Sequence, residues 1–233
     1  PSLRMSNIGK PDRQLWYEIN SEDEEIKDLP YDLLLKFLYG SILEELLVLI
    51  CKTAGHEVTD QQKEHDISGI KGHQDARVDG VVVDFKSASG FSFKKFKDQS
   101  LFDNDPFGYI AQLSAYAYAN GVDNAAFIVI DKQSGEIAIM PVHALEMIDV
   151  KNRIDTIKNV IKSDTPPAKC YEAVPEGKSG NMKLATGCHY CFFKEKCWQD
   201  ANDGRGLRAF MYSNGLKYFT QVRQEPRVAE QLL

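Results

Sequence analysis

Two aspartates and a lysine, Asp75, Asp84 and Lys86, bracket an Asp79-Gly80 pair in the stretch Gly-His-Gln-Asp-Ala-Arg-Val-Asp-Gly-Val-Val-Val-Asp-Phe-Lys at 72–86. Apolar β-branched residues flank that pair, and Asp-Gly between such runs is the strongest short-range signal for a two-residue type I′ hairpin turn. With Val78 opposite Val81, the register carries outward until Asp75 faces Asp84, and Lys86 follows two residues later on the same face. Like charges facing each other on a hairpin are destabilising by about 0.2–1 kcal/mol. A bound divalent cation reverses the sign of that interaction. Carboxylates are the ligands that Mg²⁺ and Mn²⁺ prefer, and a lysine beside them can stabilise developing negative charge or help deprotonate an attacking water. The chemistry indicated is metal-assisted hydrolysis; the alternative is a solvated strand face, since Asp-x-Lys alone is common in a chain of ordinary composition.

Such a hairpin needs elements to hold it. Over 31–54 the residues Leu33, Leu34, Phe37, Leu38, Leu43, Leu46, Leu47 and Ile50 recur at helical spacing, with Gly55 as the stop. The helix is apolar enough to be buried along much of its length. It carries Glu44 and Glu45 amid leucines, and the pattern alone leaves them to solvent or to a site. Residues 56–66 read as a strand opening a three-stranded antiparallel meander with 70–78 and 81–87. After Lys86, phenylalanines interleave with lysines. Phe93 and Phe96 would offer stacking faces and Lys94, Lys95 and Lys97 phosphate contacts to a single strand, unless the segment is a solvated edge with its rings turned inward. Asp105-Pro106 opens a second helix to about Asn120, with Ile110, Leu113 and Ala117 on its core face and Gln112 and Tyr116 sharing another. Residues 126–130 and 136–140 read as a hairpin about Ser134-Gly135, and 142–161 as a third helix.

At 233 residues and 43% hydrophobic, the chain suits one sizeable α/β core over 1–162 with a smaller region over 163–233 packed on it. An amphipathic segment around Arg13, Leu15 and Tyr17 should pack on the core, and 21–29 reads as an acidic loop. No run of about 18 apolar residues and no signal pattern is present, so a cytoplasmic protein without membrane attachment is expected. A net charge of −6 argues against a general polyanion binder. Any nucleic-acid site must be local and helped by metal.

From 163 onward prolines and glycines accumulate in what reads as a loop-rich appendage. It holds Cys170 and the run Cys188-x2-Cys191-x5-Cys197. Clustered cysteines with no secretion signal point to metal ligation ahead of disulfides. Asn214-Gly215 marks a last hairpin between 207–213 and 216–222. Arg205, Arg208, Lys217 and Arg223 either extend a binding surface there or solubilise an exposed hairpin.

With these positions in order, the sequence resembles the RecB-like branch of the PD-(D/E)xK nuclease superfamily, in a phage-type form. Gly40 and Glu44 match the first-helix motif, Gly72 and Asp75 the Gly-x-x-Asp strand, Asp84 and Lys86 the Asp-x-Lys strand, and Gln112 and Tyr116 the Gln-x3-Tyr helix. The resemblance implies a restriction-endonuclease-like α/β (α+β) core, a central mixed sheet flanked by helices. It implies that Glu44, Asp75, Asp84 and the backbone carbonyl of Phe85 hold Mg²⁺ or Mn²⁺, that Lys86 positions or activates water, and that Gln112 and Tyr116 orient substrate or the lysine. The activity implied is an exonuclease, leaving 5′-phosphate and 3′-hydroxyl ends, in phage DNA recombination, replication or genome processing. Single-stranded DNA ends are the favoured substrate, and replication or recombination proteins the possible partners. A structure-specific endonuclease, a non-catalytic DNA-binding module and a metal-bearing scaffold for protein partners are the alternatives. The cysteine spacing is similar to that of AddB-type helicase-nucleases and CRISPR-adaptation nucleases, where it holds three corners of a 4Fe-4S cluster. Their fourth cysteine precedes the first helix, where this chain has Lys10-Pro11-Asp12-Arg13. Cys170 is the substitute, with Asp12 conceivable, for a structural 4Fe-4S cluster or alternatively Zn²⁺.

Overall fold

The computed structural model describes residues 2–21 and 31–232. The acidic loop expected over 21–29 lies outside the described residues from Glu22 onward. The chain folds as two compact units, Pro1–Lys10 with Ser21–Asn159, and Pro11–Asn20 with Val160–Leu233. A 3-10 turn at Met5–Asn7 is followed by α1 (Asp12–Asn20), α2 (Tyr31–Thr53), β1 (Val58–Thr59), β2 (Glu64–Ile67), β3 (Ile70–His73), β4 (Ala76–Val78) and β5 (Val81–Ala88). Then come α3 (Gly90–Lys97), α4 (Tyr109–Ala119), β6 (Asn124–Asp131), β7 (Ile137–His143) and α5 (Val150–Ile161). The remainder is β8 (Val174–Glu176), β9 (Asn181–Lys183), three single-turn helices α6 (Thr186–His189), α7 (Lys194–Cys197) and α8 (Ala201–Gly204), and β10 (Arg208–Tyr212), β11 (Gly215–Gln221) and β12 (Glu230–Gln231).

In the first unit a mixed sheet runs β1-β4-β5-β6-β7, parallel between β5 and β6 and antiparallel elsewhere. Asp79 and Gly80 stand at φ 49 and 82, both left-handed as a type I′ turn requires, and Val78 pairs with Val81. β6 is buried from Ala125 to Asp131, the unbroken apolar run of a strand covered on both faces. Alternation on β5 sends Val83 and Phe85 to one face, where with Ile128 and Ile130 they pack under Leu43, Leu47, Val48 and Cys51 of α2. On the other face Phe127 meets Phe96 of α3 edge-on, ring centroids 5.4 Å apart. A central mixed sheet flanked by helices is therefore what forms.

Four local expectations need correction. The three-stranded meander does not form: β2 and β3 make a hairpin of their own about Ser68-Gly69, at φ 54 and 84, and β1 pairs with β4 at the sheet edge. Between β3 and β4 the fully buried Gln74 draws its amide partners from His65, Asn120 and the carbonyl of Asp60, so the chain leaves the ladder there. α2 has the expected extent but not the expected burial. Tyr31, Leu35, Leu38 and Ile42 are exposed, and contact with the core is confined to the second half, because apolarity all round a helix does not report which turns the sheet reaches. α5 starts at Val150, eight residues late; Asp149 Oδ1 accepts the Asn152 N–H at 3.0 Å as its cap, while β7 runs on to His143. α4 starts at Tyr109, with Asp105 reaching forward to accept the Ile110 N–H at 2.8 Å.

The second unit includes α1, which the sequence suggested would pack on the core. Trp16 Nε1 donates to the Ser163 carbonyl at 2.8 Å, Asn20 Nδ2 to that of Ile161 at 3.0 Å, and Tyr17 stacks on Phe193. The region is not simply loop-rich: it holds an antiparallel sheet ordered β12-β10-β11-β9-β8. Tyr212 pairs with Gly215, so the last turn is Ser213-Asn214 with Gly215 following at φ 112, one residue earlier than expected. Arg208 is answered by Glu225 and Glu230 and Lys217 by Glu176, which removes two of the four basic residues suggested there from any exposed basic surface. Among the described residues no helix is long and apolar enough to cross a membrane.

Candidate active site

Asp84 lies on β5 with no exposed surface; its Oδ2 is 2.5 Å from Lys86 Nζ, and its Oδ1 has no hydrogen-bond partner. Asp75 sits in the gap between β3 and β4, one residue beyond the Ala76–Val83 pair, where continuation of the register sets it against Asp84. Its Oδ2 accepts the Phe85 N–H at 2.7 Å. Glu44 on α2 accepts from Gln62 Nε2 at 2.7 Å. From α4, Gln112 Oε1 accepts from Lys86 Nζ at 3.4 Å, and Gln112 also meets the Tyr116 hydroxyl. Gly72 is required by this packing: a Cβ there would come within 2.6 Å of Met5 Cβ and 3.1 Å of the Tyr116 hydroxyl. Gly40 is different, since a Cβ on it would meet nothing within 4 Å.

The charges of the cluster do not balance. Burial, then the charges of Asp84 and Glu44, push the Asp75 carboxyl well above the usual range, and Lys86 only partly offsets them. Burial also raises Asp84. Glu44 is raised by burial and next by Asp84. Burial opposes the charge on Lys86, but Asp84 and Asp75 together hold its ammonium above the ordinary lysine value. Burial and Asp84 push the Tyr116 hydroxyl up to about 12. Three carboxylates thus face one ammonium, and one buried oxygen lacks a partner. That donor set fits a hard divalent cation. Among the described residues no three Cys, His, Asp or Glu side chains close to the spacing of an ion, and it is the Lys86 ammonium that stands against Asp84.

One neighbour of the lysine was not singled out in the sequence. Tyr109, half-buried, presents its ring 5.1 Å from Lys86 Nζ. Tyr109, Gln112 and Tyr116 are spaced i, i+3, i+7, a single helical stripe, so the signal was present.

The suggested strand-gripping residues separate. Phe93 and Phe96 are each 3% exposed and belong to the core, so neither ring can stack on a base; in α3 their i, i+3 spacing is an inner face. Phe91, 81% exposed, is the outward ring of this helix. Lys95 donates to the Asn104 carbonyl and Lys97 pairs with Glu136, while Lys94 lies in the same last turn.

In the second unit Cys170, Cys188, Cys191 and Cys197 line one cavity with Arg13, Gln14, Tyr17 and Trp198. All four are free thiols; Cys51 lies in the first unit's core. Arg13 Nε donates to Cys197 Sγ at 3.1 Å, its guanidinium held by the Pro167 carbonyl and the Tyr17 hydroxyl. The N–H groups of Gln14 and Arg13 face Cys170. Burial and the neighbouring thiols push Cys188 up to about 11. The four sulfurs line one cavity, with N–H donors and a guanidinium aimed at two of them, but among the described residues no three of these thiols close to the spacing of a metal ion.

No protein-family model matches the chain, and no curated protein matches it in sequence. Among solved structures it is similar to SSO0001, at 19% identity over 82% of this chain and 83% of that one, TM-score 0.46. It is similar to a phage-related exonuclease from Haemophilus somnus 129PT, at 16% identity over 69% and 90%, TM-score 0.45. A third is LHK-Exo, an alkaline exonuclease from Laribacter hongkongensis, at 15% identity over 66% and 85%, TM-score 0.41, which is also solved in complex with dAMP.

Proposed function

We propose that this chain is a metal-dependent deoxyribonuclease of the PD-(D/E)xK type, with a restriction-endonuclease-like core, that hydrolyses DNA from single-stranded ends. The observation that carries the reading is the opposed pair Asp75 and Asp84 on one hairpin, short of positive charge, with Lys86 beside them. Glu44, Asp75, Asp84 and the Phe85 carbonyl would hold Mg²⁺ or Mn²⁺, which when bound supplies Lewis-acid stabilisation of the phosphate and a more acidic water. Lys86, kept charged by Asp84 and Asp75, orients the attacking water and stabilises the negative charge that builds on the phosphate oxygens. Gln112 accepts a hydrogen bond from the ammonium and keeps it aimed. Tyr116 stays protonated at neutral pH and is a hydrogen-bond donor to substrate. Lys94, Lys95 and Lys97 remain the proposed phosphate contacts, without Phe93 and Phe96. In the second unit the four cysteines would hold a structural 4Fe-4S cluster, or Zn²⁺, as a staple among very short strands. DNA recombination, replication or genome processing is the proposed setting, with replication or recombination proteins as partners.

Linear and covalently closed circular single-stranded DNA, each with Mg²⁺ or EDTA, test this activity. Loss of linear DNA alone, only with Mg²⁺, is expected; a nicked circle would replace the exonuclease with an endonuclease, and persistence of both would remove the enzyme.

The site also sets a pH dependence. A carboxyl held above its unfolded value near pH 4 contributes stability that is complete below that pH and is lost as pH rises through its folded value. Metal-free protein should therefore weaken as Asp75 and its neighbours ionise. Mg²⁺ should raise the melting temperature more at about pH 8 than at about pH 5. Asp75→Asn should raise the metal-free melting temperature at the higher pH and remove most of the Mg²⁺ effect; equal Mg²⁺ effects on both proteins would take Asp75 out of the metal site.

A further inference from the structure

We infer that Gln62, in the turn between β1 and β2, is a positioning residue for the metal ligands: its backbone holds Asp75, its side-chain amide holds Glu44, and it thereby sets the separation of two carboxylates from different elements. The inference rests on the nuclease reading above. The Gln62 N–H donates to the Asp75 carbonyl at 3.1 Å, and Gln62 Nε2 donates to Glu44 Oε1 at 2.7 Å. Gln62 is exposed, so its side chain fills no space in the core.

The turn that carries it is tied down on both sides. Toward the gap between β3 and β4, the Gln74 N–H donates to the Lys63 carbonyl at 3.1 Å and Gln74 Nε2 to the Asp60 carbonyl at 3.2 Å. Toward α2, Gln61 Oε1 accepts from Lys52 Nζ at 2.7 Å. Asp60 and Gln62 stand at φ 51 and 53, in the left-handed region that a residue with a Cβ occupies only where its surroundings hold it. Gln62 spends that conformation on aiming one amide at a candidate metal ligand. Glu44 needs the tie, because it lies close enough to Asp75 for their charges to repel and its long side chain has other rotamers open to it. A carboxylate held in place before the cation arrives has less freedom to lose on binding. The amide engages one of its oxygens, which leaves the second for a cation.

The test is Mn²⁺ binding to the full chain, read from the EPR signal of the free ion, together with the Mn²⁺ concentration that gives half-maximal cleavage of linear single-stranded DNA. Gln62→Gly keeps the backbone N–H on Asp75, takes a positive φ freely and removes only the amide. Gln62→Asn also tolerates the left-handed region but leaves its amide one methylene short of Glu44. Both variants should raise the Mn²⁺ Kd and the half-maximal concentration by at least about tenfold, as loss of a group that orients a metal ligand does. Their metal-free melting temperatures should stay within a few degrees of wild type, and kcat at saturating Mn²⁺ within a few-fold. Gln61→Ala cuts the neighbouring tie to α2 without touching a ligand, and should leave both metal readouts unchanged. Wild-type Mn²⁺ demand in the Gln62 variants, an equal rise in Gln61→Ala, or a large fall in metal-free melting temperature in both Gln62 variants would overturn the positioning role and leave the nuclease standing. Neither Mn²⁺ binding nor cleavage by wild type would overturn both.

Discussion

Lys86→Ala is expected to lower metal-dependent DNA cleavage by at least about a hundred- to a thousandfold, the range found when a single charge-stabilising donor is removed from a hydrolytic site. DNA binding should stay within a few-fold of wild type. The reason is local. The Lys86 ammonium is 2.5 Å from Asp84, is accepted by Gln112, and faces the ring of Tyr109. Removing it takes away the group nearest the buried carboxylates that can orient a water or answer charge on a phosphate. The fold should persist, because the hairpin is fixed by the Asp79-Gly80 turn and by Val83 and Phe85 on the opposite face. Lys86→Arg should not restore the rate, since a planar fork cannot replace a compact ammonium in that space. Wild-type turnover by the alanine protein would remove Lys86 from the mechanism.

Cys191→Ser carries the second large expectation. If the four cysteines hold the proposed metal group, this substitution should release it and lower the melting temperature by at least about 10 °C, because binding energy at a structural thiolate site is folding energy and a small unit shifts by several degrees per kcal/mol. Cys191 shares its cavity with three other thiols and with α1, a segment about 175 residues earlier in the sequence that the unit must hold. Cys51→Ser is the control, since that thiol lies in the core beneath α2 and should leave metal content unchanged. Iron, sulfide and zinc analysis of the wild-type protein then decides the identity of the group. Wild-type metal content and melting temperature in Cys191→Ser would end the cluster proposal.

What could be read in advance followed local chemistry. Asp-Gly admits few turns, so the 76–83 register and the placement of Asp75 beyond it came from two residues. Gly55, Gly121 and Gly135, all at positive φ, ended α2 and α4 and closed the β6–β7 turn as expected. The failures have a common origin in partners distant along the chain. Gln74 breaks the strand because His65 and Asn120 reach it, and nothing beside it in sequence says so. The second unit's sheet is built from strands as short as two residues, too few for alternation to register. Phe93 and Phe96 have the spacing of a helical inner face, but the lysines between them suited a solvated segment equally well. Tyr109 was legible as the third member of the Gln112 and Tyr116 stripe.

The most direct measurement is a time course on 5′- and 3′-end-labelled DNA, single- and double-stranded, with Mg²⁺, Mn²⁺ or EDTA, for wild type beside Lys86→Ala. Stepwise release of mononucleotides or short 5′-phosphorylated fragments from one end, present with either metal and absent with EDTA or without Lys86, is the predicted result and gives the polarity. Intact substrate in every lane, from protein with its cysteine site filled, would contradict the account and leave the hairpin without a catalytic role.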